Sequence, residues 1–220
     1  VKESGMDVGL VTNGVKLSAR AIELLACFPA TWVRVSFDAA SVGLYEALRR
    51  APAWHMASAV KHLSELARLA RERLPRKGEG MVQKLTVGAG FVVTKENWHE
   101  VEDCARMVKE AGADNLRISA VFSTEGSKYF DTFHAEAARL CKVAEHGLSN
   151  DTFKVINMFG DRIDDLVLGN PDYDRCWYQY FTTYIGADQN VYRCCVYSYN
   201  KRGLIGSIKD QSFAEMWFAS

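Results

Sequence analysis

Strand-like and helix-like stretches alternate through the first 122 residues of this chain, and that alternation limits the fold more than any single motif. Asp7 to Thr12 (DVGLVT) is a short apolar strand and Asn13-Gly14 a turn. Leu17 to Phe28 is an amphipathic helix with Leu17, Ala21, Leu24, Leu25 and Phe28 along one stripe. Trp32 to Asp38 (WVRVSFD) is a second strand, followed by a short helix over Val42 to Arg49 and a long one over Ala53 to Leu74. Lys84 to Val93 is a third strand, carrying Gly88 and Gly90; Asn97 to Ala111 is a helix closed by Gly112, and Asn115 to Phe122 a fourth strand. Such a series predicts an α/β fold: a parallel sheet with helices outside, either doubly wound or a segment of a barrel. Beyond it, Tyr129 to Gly147 is helical, Thr152 to Phe159 is a strand, and Gly160 to Asp174 is a polar connector. The boundary falls in that connector, giving domains 1–159 and 160–220.

The second domain is organised by cysteine. Tyr178 to Gly186 and Val191 to Tyr199 are rich in aromatic and β-branched residues, and Ala187 to Asn190 are turn formers, so the segment predicts a hairpin. Cys176 lies before its first strand, and Cys194 and Cys195 lie in its second. A hairpin brings all three toward one end. Thiolates gathered in this way select zinc or an iron–sulfur cluster, the alternative being that they are small buried hydrophobes. The other cysteines, Cys27, Cys104 and Cys141, fall on apolar parts of helices and are expected in the core. The five histidines all lie in helical stretches without an HExxH pattern, which argues against a histidine zinc site.

Composition excludes several classes. The formal net charge is zero and the pI about 7.1, which argues against a generalised polyanion-binding surface and hence against nucleic acid as a partner. No run of about 18 apolar residues and no signal peptide occurs, so the expectation is a cytoplasmic protein without a membrane partner. Six cysteines in a reducing compartment favour metal or core roles over disulfides.

Ligands of such sheets meet the carboxyl ends of the strands. Those ends supply Thr12-Asn13-Gly14, Ser36-Phe37-Asp38, Val93-Thr94 and Val121 to Ser123. Ser36 and Asp38 alternate with Val35 and Phe37, so they share a face that could line a cavity. Arg117 sits within a strand and needs a carboxylate or a ligand if it faces inward. Gly88 and Gly90 either admit a ligand close to the backbone or relieve packing against a helix.

The sequence TNG at residues 12–14, VSFDAAS at 35–41 and the downstream cysteine hairpin, followed by GLIGSI and a helix beginning SFAEMW, resembles the core barrel and SPASM or twitch auxiliary domain of radical SAM enzymes. The resemblance implies a partial (β/α) barrel followed by a small β-hairpin and helix domain. It also implies S-adenosylmethionine as cofactor, met by Ser36 and Asp38 with Asn13 lining the same cavity, and an auxiliary [4Fe-4S] cluster on Cys176, Cys194 and Cys195; Arg117 is a further cofactor candidate from its place within a strand, the alternative being an outward Arg capped by a helix carboxylate. Relatives of this type cleave S-adenosylmethionine reductively and abstract a hydrogen, often from a peptide or protein, drawing electrons from a donor such as flavodoxin or ferredoxin. Where the family commonly has Asp-Gly in the hairpin turn, this chain has Asp188-Gln189-Asn190, and Asn is expected to supply the left-handed residue.

The CxxxCxxC loop that holds the family's S-adenosylmethionine-binding cluster does not occur in these residues, and VKESG looks like the end of a helix. The expectation is therefore the later part of a longer oxidoreductase or maturase, inactive by itself and prone to self-association along the open edge of its first strand. Two other readings compete: a non-catalytic zinc-binding module on an α/β domain, and a metal-free (β/α) enzyme.

Overall fold

The computed structural model describes residues 6–27, 32–72, 85–123, 125–160 and 174–218. The chain divides into two compact units, Val1–Leu168 and Gly169–Ser220. VKESG and residues 161–173 of the expected connector lie outside the described residues.

The first unit is built on five parallel strands in sequential order: β1 (Gly9–Thr12), β2 (Trp32–Ser36), β3 (Thr86–Val93), β4 (Asn115–Ala120) and β5 (Lys154–Asn157). Helices α1 (Ala19–Cys27), α2 (Val42–Arg49), α3 (Trp54–Glu72), α4 (Val101–Glu110) and α5 (His134–Leu148) form the crossovers. Strand order that follows chain order is that of a barrel segment, since a doubly wound sheet reverses direction partway.

The two faces of the sheet differ sharply. Val33, Val35, Val87, Phe91, Leu116 and Ile118 are fully buried or nearly so and form one core with Leu63 and Leu66 of α3 and Cys104 and Val108 of α4. Full burial of each large side chain contributes about 1.5 to 3 kcal/mol. The residues that alternate with them, Trp32, Arg34, Ser36, Val92, Arg117 and Ser119, are half-buried, and Val11, Ile156 and Met158 are exposed. Period-2 alternation has therefore placed the helices on one side and left the other face open.

A hydrogen-bonded lock joins the loop after β2 to the loop after β3. Asn97, the one buried polar residue among those described, donates from Nδ2 to the carbonyls of Asp38 and Val92, both at 2.9 Å, and accepts the Thr94 N–H at 2.6 Å. The Asp38 carboxylate accepts the Val92 N–H at 2.8 Å and pairs with Arg49 at 2.6 Å. Glu100 accepts the N–H groups of Ala40 at 2.6 Å and Ser41 at 2.9 Å, and the Ser41 hydroxyl donates to its other oxygen. Ser41 in turn caps α2, accepting the Leu44 N–H. A carboxylate from the start of α4 thus sits at the positive end of α2.

Several expected elements are shorter than the sequence suggested, among them the strand expected over Thr152 to Phe159, which is Lys154–Asn157. The helix over Tyr129 to Gly147 is a 3-10 turn at Gly126–Phe130 followed by α5. Phe130 and Phe133, spaced by three, are both buried and pack 5.5 Å apart, which favours the tighter winding. In the second unit the strands are β6 (Tyr184–Ile185), β7 (Asn190–Tyr192) and β8 (Leu204–Ser207), antiparallel in that order, followed by α6 (Phe213–Phe218). The flanks of β6 and β7 fold into 3-10 turns at Trp177–Tyr180 and Cys195–Tyr197 because side-chain hydroxyls capture the backbone: Thr182 donates to the Tyr178 carbonyl and Ser198 to that of Cys195. Helix α6 opens with a capping box, Ser212 accepting from Glu215 N–H while the Glu215 carboxylate accepts from Ser212.

Burial raises the pKa of Glu100, but the hydrogen bonds from Ser41 and Ala40 outweigh it and leave the carboxyl below its ordinary value. A depressed carboxyl stabilises the fold above its unfolded pKa, near 4.5, and that contribution is lost as pH falls through the folded value. Glu100→Gln should therefore cost about 1 to 2 kcal/mol at pH 7, a figure discounted for partial exposure. The difference from wild type should shrink below about pH 4, as measured by urea denaturation across pH.

Candidate functional site

Two regions carry the expected chemistry, one in each unit. In the second unit, β6 and β7 pair Tyr184 with Tyr192 and Ile185 with Val191, so residues before β6 and after β7 lie toward the open end of the hairpin. Cys176 precedes the turn that leads into β6, and Cys194 and Cys195 follow β7 directly. All three are free thiols, Cys176 and Cys195 exposed and Cys194 half-buried. Cys194 ends the extended run (φ −162°, ψ 172°) and Cys195 starts the 3-10 turn. That change of backbone frees the two neighbours from the opposite directions a continuous strand would impose. Among the described residues no three His, Cys, Asp or Glu side chains gather closely enough to hold a metal ion. The three are free thiols on the segments that flank the hairpin, the soft donor type that zinc and iron–sulfur clusters take.

In the first unit the expected residues separate by role. Ser36 ends β2 on the open face of the sheet, paired in register with Gly90. Asp38 lies just past the strand in a left-handed conformation (φ 59°), with its carboxylate engaged by Val92 and Arg49. Burial raises its pKa, opposed by the Val92 hydrogen bond and the Arg49 charge. Asn13 is exposed and accepts the Val15 N–H at 3.1 Å, forming a turn after β1 in which Gly14 has φ 73°. Arg117 projects from the open face of β4 and donates from Nε to the Met158 sulfur at 3.1 Å. Gly88 and Gly90 make room for side chains of the neighbouring strands. A Cβ at Gly88 would meet the Asn115 side chain at 2.3 Å, and one at Gly90 would meet the Arg34 methylenes at 3.2 Å. The two glycines give flanking side chains room to lie over β3.

Comparison with known proteins bears on both regions. Residues 176–220 match the SPASM family, an iron-sulfur cluster-binding domain. The structure of Streptococcus suis SuiB bound to S-adenosylmethionine superposes with a TM-score of 0.65 at 11% identity, over 99% of this chain and 48% of that one. SuiB bound to the precursor peptide SuiA gives a TM-score of 0.60 at 11% identity, over 98% and 48%. The structure of hexahistidine-tagged anSMEcpe with bound AdoMet gives 0.56 at 14% identity, over 95% and 56%. The chain shares the fold of these structures, and its second unit carries the SPASM match. It spans about half the length of the structures it matches, and no curated protein matches its sequence.

Within the SPASM domain the hairpin turn departs from expectation. The left-handed residue is Gln189 (φ 64°), not Asn190. Asp188 fixes the turn by accepting from the Asn190 N–H and side chain and from the Tyr192 hydroxyl at 2.6 Å, and that hydroxyl bond is the main reason its pKa is lowered. Asn190 is thereby committed to β7, and the left-handed position passes to its neighbour. The core thiols behave as expected where their side chains are described: Cys104 and Cys141 are fully buried, and burial pushes Cys141 up to about 12. Neither is suited to act as a thiolate ligand.

Three residues that shape these sites were not singled out from sequence. Asn97 and Glu100 act across about 60 positions, and only the capping preference of their types hinted at it. Arg34 carried the same signal as Arg117, a charge inside an apolar strand.

A left-handed non-glycine residue costs about 1 to 2 kcal/mol. Gln189→Gly should therefore stabilise the SPASM domain by about 1 kcal/mol, after allowance for glycine's greater freedom when unfolded. Hydrogen exchange of the β7 and β8 amides should slow correspondingly; unchanged or faster exchange would show that the turn is unstrained.

Proposed function

We propose that this chain is part of a radical SAM enzyme that modifies a peptide or protein by hydrogen abstraction, with an auxiliary [4Fe-4S] cluster held by Cys176, Cys194 and Cys195. The observation that supports this reading is the match of residues 176–220 to an iron-sulfur cluster-binding domain, a segment whose three cysteines are free thiols. S-adenosylmethionine as cofactor is supported by the SuiB and anSMEcpe structures that contain it, and a peptide substrate by the SuiB structure with its precursor peptide. When bound, the auxiliary cluster would anchor substrate or pass electrons.

The chain's own residues would act from the two regions already described. Asn13, Ser36, Asp38 and Arg117 are the candidates on the barrel side. Of these, Ser36 and Arg117 face the open side of the sheet and would touch a ligand directly, whereas Asp38, engaged by Val92 and Arg49, would position the loop around it. Cys176, Cys194 and Cys195 would supply the cluster thiolates. An electron donor of flavodoxin or ferredoxin type and a cytoplasmic, reducing setting complete the proposal. Free cysteines suit such a setting, and among the described residues no helix is long and apolar enough to cross a membrane.

Anaerobic reconstitution with iron and sulfide tests the cluster. The expected outcome is a brown protein with sulfur-to-iron charge-transfer absorbance that Cys176→Ala or Cys194→Ala weakens, while Cys141→Ala leaves it unchanged. Stoichiometric zinc uptake with no capacity for iron and sulfide would instead make the hairpin a structural zinc module.

A further inference from the structure

The open face of the sheet carries two arginines that no acidic group balances among the described residues. Arg34 on β2 lies opposite Gly88, and Arg117 on β4 lies opposite Gly90, so the pair flanks β3, where the Asn115 side chain lies over Gly88. Strand spacing and rise put their Cα atoms roughly 12 Å apart, within mutual reach of two long side chains. Neither makes an ion pair among the described residues. The Arg34 methylenes lie on Gly90, and its guanidinium carbon sits 4.9 Å from the Trp32 ring centroid, a contact that uses no N–H group. Its Nε is shut off from solvent with no hydrogen-bond partner, and Arg117 places its Nε on a thioether, the weakest of acceptors. Burial first, and then the charge of Arg117, hold Arg34 below its ordinary pKa, so the two guanidiniums feel one another.

Like charges on one face with donors unused raise the energy of the unliganded protein, and an anion placed between them relieves both defects. The forked geometry of two guanidiniums matches a planar carboxylate. Depth along the strands narrows its source. Arg34 is two residues short of Ser36, the last residue of β2, whereas Arg117 is level with Ser36 through Gly90, so the pair runs from the rim to about 7 Å below it. The group bound there reaches down the sheet face from the rim.

We infer that Arg34 and Arg117 form a carboxylate subsite on the open face of the sheet, taking an Asp or Glu side chain of the peptide substrate. This rests on the peptide-modifying reading above and gives that substrate an acidic residue.

The test uses the protein with labelled arginine side chains and two probes, acetyl-Gly-Glu-Gly-amide and acetyl-Gly-Gln-Gly-amide, followed through the Arg Nε–H resonances. The Glu peptide should shift the Arg34 and Arg117 resonances saturably and bind about tenfold or more tightly than the Gln peptide, the difference expected for a charge-assisted pair. Arg34→Gln and Arg117→Gln should each abolish that preference without changing the melting temperature by more than a few degrees. Equal binding of the two peptides, or binding of neither, overturns the inference. A titration with S-adenosylmethionine separates the sources: if it shifts the same resonances and the variants lose it, the anion is the cofactor's own carboxylate and the inference falls. Cluster reconstitution is read independently. A protein that assembles its cluster yet ignores the Glu side chain refutes only the subsite; one that prefers Glu but takes up no iron and sulfide refutes only the enzyme assignment.

Discussion

The buried amide of Asn97 is the interaction on which the rim of the sheet depends. It satisfies two carbonyls and one N–H belonging to the ends of β2 and β3, and no other described polar side chain is so fully enclosed. The amide itself is shut away from water, so each of these hydrogen bonds also spares it the cost of an unsatisfied buried polar group. The Asp38–Arg49 pair and the Glu100 cap are built around this centre, and together they decide where the first residues of α2 and α4 begin. Ser36 owes its position at the rim to the same lock, being two residues from Asp38 on a strand whose exit is fixed. A residue at such a rim can meet a ligand only if the loops beyond it do not wander, and here they are tied to each other rather than to solvent.

This lock explains why part of the site was legible in the sequence and part was not. The alternation of Val35 and Phe37 with Ser36 and Asp38 is a local signal of period 2, and it assigned the faces of β2 correctly. The same signal read two residues too far, to Asp38, because the chain leaves the strand at Ser36 and turns left-handed, which sends the carboxylate to β3 and α2. Asn97 and Glu100 stand in a stretch that reads simply as the start of a helix, and their partners lie 59 and 60 positions away. No periodicity connects residues at that separation. The cysteine hairpin shows the complementary failure. Aromatic and β-branched content predicted long strands, but β-propensity reports fit to a half-buried pleated surface, and the flanks here are exposed. There the hydroxyls of Thr182 and Ser198 offered the backbone a nearer partner than a neighbouring strand could.

The turn between β6 and β7 shows how a small domain keeps its shape without much core. Only Val191 and Tyr192 are buried hydrophobics among the described residues of the second unit, so hydrophobic burial contributes little. The load falls on Asp188, whose carboxylate organises Asn190 and Tyr192, and on the rings of Tyr184, Tyr192 and Tyr199 packed about 6 Å from one another. A unit with so small a core gains from ligands that bind only its folded form. The free thiols on the segments flanking the hairpin are groups of the type through which a bound metal adds folding free energy.

The central strand β3 unites these observations. A parallel strand covered by helices on both faces is apolar on both, and reads as a nearly continuous hydrophobic run. Toward the helices, β3 presents Val87, Ala89, Phe91 and Val93, all fully buried, and toward the other side Thr86, Gly88, Gly90 and Val92. The second set is too small to fill space and too sparing of apolar surface to bind a helix. What it does is lower the floor beneath Asn115 and Arg34, which lie across it from the neighbouring strands. A strand that gives up its own side chains at the middle of a sheet, and with them the packing on one face, makes physical sense only where that face is shaped for something other than the protein's own helices.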